Sequence, residues 1–583
     1  MLPRPAEKRK RKPKEVTATT PPATAEYAGH PSSPTMTFKR PKRYATWKDW
    51  QCRLATRKKP APLKKPLAEG YGAGCRQSVG PIERWSPALW NPLIRKAHRL
   101  PGLAASLDAD EWWAELEQLS ELADDAMQRA TGCDKLFAGE LLVTLGYHFP
   151  ELGAADRWIT RGAAAASHAL VELLDGEGLP HASSLARMPE ILATAVRLHV
   201  MLVACGASLS DRAVGQVGWL VRQAIRFCHG DGRPAFAGEI PPNRYLPLLE
   251  NAARLVGDDD DRRLLAAATP VKAPALAGRK DNRGGKKAKK ASRRGSGRGA
   301  AAADVSARYE SEWAEAAVLR GSWDRDAPRL FLTYDKQGLQ MELGVGGNVW
   351  ASGRWEPVIR VDGTALEPTD DWAEVCQHAD NDGIYYEVER RFTRGVAIQR
   401  QIFLAPNDGL LFFADAVFTP NDAADIELSQ PTPLTESVEV DLADQTREGE
   451  LKLGDARLRV IPLGLPEWRQ SRGPCSFTAE KSGLRLHMQR QGRRLFAPLL
   501  FDLDASRCDK PLTWRPLTVA EQLRILPPDE AVGYRFQMGS KQWLVYRSLA
   551  PVGNRTVLGV NLITQFLMAR FDKGEVENLI EIE

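Results

Sequence analysis

The side chains that could do chemistry in this 583-residue chain are scattered, and most of their neighbours argue for packing rather than reaction. The eight cysteines, at 52, 75, 133, 205, 228, 376, 475 and 508, form no C-x-x-C pair. Cys228-His229 and Cys376-x-His378 are isolated pairs without a second half-site at zinc spacing, so reduced thiols and no bound metal are expected. Gly346-Gly347 is not followed by a helix carrying Lys-Ser/Thr, which excludes a phosphate loop. No Ser, His and Asp stand at a spacing that supports a nucleophilic triad, and no cofactor is expected. Trp112 and Trp113 could stack on pyranose faces. Neighbours on a helix point about 100° apart, so at most one of them faces a core and the other is left for a ligand. His199 and Tyr245 fall on apolar helical faces, and His148 closes a helical run, which makes them packing or capping residues.

The elements that would position such groups divide the chain in four. Residues 1–80 are rich in Pro, Lys, Arg, Ala and Thr without a sustained hydrophobic period, which predicts a disordered basic tail. Within it Tyr44, Trp47 and Trp50 form an aromatic cluster that could dock. Residues 81–269 read as helices joined by short loops, an α-helical (α/α) toroid-like domain. Asp108 and Glu111 have capping-box spacing, and Trp112, Leu116, Leu119 and Ala123 continue one apolar face. Residues 270–304, with Lys286, Lys287, Lys289, Lys290, Arg293, Arg294 and Arg298 among Gly and Ser, read as a basic flexible linker. From 305 to 583 the period becomes two: Leu330, Leu332 and Tyr334 alternate, Asp335 to Gly338 turn, and Leu339, Met341 and Leu343 alternate again. Many short strands of this kind predict a large antiparallel β-sandwich.

Residues 1–80 carry 19 Lys/Arg against 5 Asp/Glu, and residues 271–303 carry 11 against 1. These segments hold +24 of a chain whose net charge is +6, so the rest carries −18. A groove for an anionic polymer usually has a positive field, so this balance argues against a strongly basic cleft. It leaves the tail and linker as segments that could make salt-sensitive contact with a nucleic acid or another polyanion. No apolar run reaches the roughly 18 residues that would cross a bilayer. No apolar h-region follows the basic stretch Lys8–Lys14, so no membrane contact and a cytoplasmic location are expected.

Several local phrases then recur in a fixed order. Leu145-Gly146-Tyr147-His148-Phe149-Pro150-Glu151 is followed by Ala155 and Trp158, and Asp175-Gly176 is followed by Ser183-Ser184. His229-Gly230-Asp231-Gly232 precedes Pro234, Phe236 and Glu239. Arg400-Gln401-Ile402-Phe403-Leu404 precedes Leu411-Phe412-Phe413-Ala414-Asp415. Over about residues 130–420 this order resembles the heparinase II/III-like polysaccharide lyases, a helical toroid followed by a β-sandwich. The resemblance implies an anionic polysaccharide as partner and β-elimination as chemistry. That reaction needs a group to neutralise the uronate carboxylate, a base for the C5 proton and an acid for the leaving oxygen.

Where the family has Asn-His ahead of the "F-P-E" passage, this chain has Asp134-Lys135, and its Tyr-His falls at Ala186-Arg187. The family's H-x-H-A-D signature has no full match; His378-Ala379-Asp380 stands too close to the Arg400 strand to fill that place. The resemblance leaves His181 and Arg187 as catalytic candidates, with Ser184, Trp112 and Trp113 as substrate-binding ones. Three readings follow: a carbohydrate-binding or scaffolding protein with a degenerate lyase centre, an active lyase rewired around His181 and Arg187, and a polyanion-binding protein that acts through its tails.

Overall fold

The computed structural model describes residues 39–56, 87–238, 240–271, 305–420, 423–470, 473–572 and 575–583. Cys75, Glu239, most of the basic N-terminal segment and nearly all of the linker lie outside the described residues. Ten helices are described: α1 (Trp47–Ala55), α2 (Pro87–Leu103), α3 (Ala109–Arg129), α4 (Gly132–His148), α5 (Ala155–Leu173), α6 (Ala182–Leu185), α7 (Met188–Ala204), α8 (Asp211–Arg226), α9 (Pro242–Leu255) and α10 (Asp259–Ala268). None of them is long and apolar enough to cross a membrane.

Helix α1 falls inside the stretch whose composition predicts no order. Two local features hold it. Thr46 and Asp49 close a reciprocal capping box. Trp50 is fully buried, edge-on to Trp112 at 6.2 Å and stacked on Trp113 at 6.3 Å and 10°. The expected box at α3 is present, with Glu111 N–H donating to Asp108 at 2.8 Å and Asp108 N–H to Glu111 at 3.2 Å.

Helix α4 is buried on every side from Leu136 to His148, which is why its sequence shows no single apolar stripe. Its one interior carboxylate, Glu140, is neutralised by Arg197 of α7, whose Nη2 lies 2.8 Å from Oε2, and accepts the Thr194 hydroxyl at 2.8 Å. Helix α5 lies close against α4 because Gly139 faces Gly162. A Cβ on Gly139 would stand 2.8 Å from the Gly162 carbonyl oxygen, and one on Gly162 would stand 2.6 Å from that of Gly139.

Beyond residue 305 every described strand pairing is antiparallel. The first sheet runs β1 (Tyr309–Ser311), β2 (Ala316–Arg320), β3 (Arg329–Asp335), β4 (Gly338–Val345), β5 (Asn348–Arg354) in order. The predicted hairpin is β3–β4, with Asp335 opposite Gly338. An eight-stranded sheet follows, with strands 397–405 and 410–418 near its middle and strand 494–502 beside them. It is covered on both faces. Ile402, Leu404, Leu411 and Phe413 pack with Leu330, Leu332 and Trp350 of the first sheet. Phe403, Phe412 and Ala414 pack with Val532, Phe536, Trp543 and Phe566 of the C-terminal sheet. Double burial accounts for the unbroken Leu410–Phe413 run, where a sheet with one wet face would alternate.

Two fully buried charges near the middle of this sheet answer each other. Arg400 and Asp415 are direct cross-strand partners, both fully buried, with Nε–Oδ1 at 2.6 Å and Nη2–Oδ2 at 2.7 Å. The guanidinium also lies 4.0 Å over the Trp355 ring. The phrases around 400 and 411 are thus one buried ion pair and the strands that carry it.

Candidate functional site

The outer face of the first sheet meets the helices, and His181, Ser184 and Arg187 lie along or beside this seam. On the helical side, the start of α4 lies beside the passage from α6 into α7. Burial pushes the Cys133 thiol up, opposed by the Arg187 charge and a hydrogen bond to Ser184. The Arg187 guanidinium lies 5.0 Å over the Phe137 ring, and its Nε is 3.2 Å from Glu190 Oε2. Its Nη2 is buried without a hydrogen-bond partner among the described residues. Asp134 accepts from the Trp90 indole at 2.8 Å, and Lys135 Nζ stands 3.5 Å from His168. The stretches at Asp134-Lys135 and Ala186-Arg187 are therefore neighbours here, carrying a thiol, a carboxylate, an ammonium and a guanidinium.

His181 stands at the other end of one-turn α6, as its N-cap. Ser183 N–H donates to Nδ1 at 3.2 Å, and Ser183 Oγ is 2.9 Å from the same nitrogen. Nδ1 is thereby the acceptor, and the ring proton sits on Nε2, which faces Glu315 Oε2 at 3.2 Å. Glu315 lies in the turn between β1 and β2 with φ +51°, a left-handed conformation that aims its carboxylate at the helices. Ala182 N–H donates to the Ala314 carbonyl at 2.7 Å in the same turn, and Trp313 packs edge-on to the imidazole at 5.9 Å. The order Ser–His–Glu looks like a triad. The imidazole acceptor is already taken by a backbone N–H, however, so this group works as a clamp between the two parts of the molecule. Trp313 is half exposed beside it.

Further along the seam, the Tyr309 hydroxyl of β1 donates to Asp175 at 2.8 Å, and the Arg226 guanidinium covers the Tyr309 ring at 5.2 Å. Burial, then the hydrogen bond to Asp175, raises this phenol well above its ordinary range, which unsuits it as a base. His229, almost fully buried, meets Glu342 of β4 at 2.7 Å and packs on Phe331 at 4.8 Å. Gly230 explains why that turn begins His-Gly. A Cβ there would stand 2.1 Å from the Arg325 carbonyl oxygen, so only glycine lets the turn seat against the sheet.

The structure brings His181, Ser184 and Arg187 together with Cys133, Trp313 and Glu315. It places Trp112 and Trp113 elsewhere: Trp112 is fully buried, donates to the Leu100 carbonyl at 2.9 Å, and with Trp113 seats α1. His148 pairs with His98 at 3.0 Å in the helical interior, and the Tyr245 hydroxyl donates to Ala224 O at 3.3 Å. His378 is exposed on strand 373–379, 3.7 Å from Asp380. Trp313 and Glu315 lie more than 100 residues from His181, Glu342 lies more than 100 from His229, and Tyr309 lies 83 residues from Arg226. The period-two reading of strands gave no sign of which face would meet the helices. No group of His, Cys, Asp or Glu among the described residues could hold a metal ion.

The sequence matches no family model and no curated protein. Solved structures do resemble the fold. One is the heparan sulfate lyase HepC from Pedobacter heparinus, at 12% identity and TM-score 0.52 over 79% of this chain and 75% of that one. A heparinase III gene product matches at 10% identity and TM-score 0.52, over 79% and 74%. Another heparinase III matches at 11% identity and TM-score 0.55, over 86% and 79%. At these identities the likeness is one of architecture. The chain has the heparinase III fold, a helical part followed by layered antiparallel sheets.

Proposed function

We propose that the chain binds an anionic polysaccharide along the helix–sheet seam and that its lyase centre is degenerate, leaving a carbohydrate-binding or scaffolding role. The neighbours of known fold that support this are named as heparan sulfate lyase and heparinase III. The observation that carries the reading is the chemistry of the paired loops. The start of α4 and the α6–α7 passage meet, as β-elimination would require, yet they offer Cys133, Asp134 and Arg187 where a proton-transfer pair is needed. A buried, protonated thiol and a guanidinium transfer no proton at neutral pH, the Asp134 carboxylate is held by the Trp90 indole, and the His181 imidazole faces Glu315. Arg187 keeps one function such a site needs. Its guanidinium, partly exposed and with no partner for Nη2 among the described residues, can donate to a uronate carboxylate or a sulfate. Half-exposed Trp313 supplies an apolar face for a sugar ring.

Retention of the full chain on immobilised heparan sulfate tests this. Arg187→Ala is expected to weaken retention by about tenfold, the worth of one charge-assisted hydrogen bond. Unchanged retention would remove Arg187 from the site. A variant that also lacks residues 272–304 separates the seam from the basic linker; if that deletion alone abolishes binding, the polyanion-binding reading through tail and linker replaces this one. The rewired lyase is a second reading, favoured by the placement of His181 and Arg187 at the two ends of one-turn α6.

A further inference from the structure

Far from the helices, a cavity of about 600 Å³ opens where strand 483–492 and the C-terminal sheet diverge. That volume falls within the roughly 300–1,000 Å³ typical of small-ligand sites. Its walls are apolar, with Leu463, Leu465, Met488 and Leu526 among them. Its charges are all of one sign: the lining contains two arginines and no Asp or Glu.

The strand pattern shows that one of these arginines is out of place for packing alone. Along strand 483–492 the inward positions recur every second residue as Leu484, Leu486 and Met488, all buried in the core. The next inward position is Arg490, which lines the cavity and forms no ion pair among the described residues. Opposite, strand 531–538 turns Val532, Tyr534, Phe536 and Met538 toward the other core, and Tyr534 reaches the cavity. Only 7% of Tyr534 is exposed, and no described residue hydrogen-bonds its hydroxyl. Burial pushes this phenol up to about 12, with the Arg490 charge drawing it back, so the two groups share one environment. Ile525, 70% exposed, forms an apolar lip, on a hairpin whose tip residues Gln522 and Leu523 both take left-handed φ, +47° and +66°.

We infer that this cavity is a binding site for a small amphiphilic anion, an alkyl or aryl carboxylate, with its head on Arg490 and the Tyr534 hydroxyl and its apolar body along Leu463, Met488 and Leu526. The site is separate from the helix–sheet seam and does not depend on the polysaccharide reading.

Calorimetric titration of the full chain with decanoate and with decanol tests it. Decanoate is expected to bind one-to-one and decanol about tenfold more weakly or worse, since the alcohol lacks the charge that Arg490 meets. Arg490→Leu is expected to lose decanoate affinity by about tenfold, and Arg490→Lys to keep most of it. Arg187→Ala is expected to leave decanoate binding unchanged. No saturable heat with decanoate, equal affinity for acid and alcohol, or full binding by a folded Arg490→Leu variant would each overturn the inference. If Arg490→Leu does not fold, Arg490→Lys and Tyr534→Phe, with the acid–alcohol comparison, decide the matter alone.

Discussion

At His181 the proton inventory decides the role. Ser183 N–H occupies Nδ1 and Nε2–H faces the Glu315 carboxylate, so the ring has no lone pair to offer a substrate and serves to hold α6 against the β1–β2 turn. His181→Ala and Glu315→Ala are each expected to lower stability by about 1 kcal/mol. The double variant should cost no more than the larger single change, because both remove the same contact. Denaturant titration of the three variants checks this, and strictly additive losses would show that the contact is not shared. Sequence located His181 in a polar loop, but Glu315 lies 134 residues away and gave no signal there. Trp112 and Trp113 failed as a sugar platform for a related reason. Their spacing put one ring inward, and what covers the other, Trp50, sits on a helix whose capping box lies in a stretch of otherwise unpatterned composition.

Among the elements, α4 and α5 show how small residues set geometry. Gly139 and Gly162 face each other so closely that a side chain on either would meet the opposite backbone. Gly162→Val is expected to cost at least about 1–3 kcal/mol through overpacking, read as a fall in the thermal midpoint. A melt like that of the parent would mean that the helices do not approach so closely. The sequence marked both helices by their leucines and alanines, and the Gly139–Gly162 register needed the structure. The strands were legible for the opposite reason. Period-two alternation marks each of them locally, and the Arg400 and Asp415 strands gave themselves away by carrying one charge each in an apolar run. The alternation could not say that the eight-stranded sheet would be covered on both faces, since burial of the second face is decided by the C-terminal sheet more than 100 residues further on.

For the whole molecule, Cys228 reports on the seam between helices and first sheet. This thiol is fully buried beside the His229–Glu342 contact, its backbone oxygen accepts from Arg329 of β3 at 3.0 Å, and burial pushes its pKa up to about 12. A thiol raised that far stays protonated through neutral pH and reacts only when the seam opens. Iodoacetamide is therefore expected to label exposed Cys52 quickly and Cys228 only in denaturant at the concentration that separates helices from sheet. Prompt labelling of Cys228 in native protein would show that the seam breathes. At this scale the seam carries both signs, with Asp134, Asp175, Glu190, Glu315 and Glu342 alongside Arg187, Arg226 and Arg329.

The ultraviolet absorbance of unsaturated product tests the proposed degenerate lyase centre most directly, with the full chain incubated with heparan sulfate and a panel of other uronate polysaccharides. The expected result is no increase with any polymer while the protein remains folded and is retained on immobilised heparan sulfate. An increase that disappears in the His181→Ala/Arg187→Ala double variant would contradict the account and place a working lyase centre at the α6 loop.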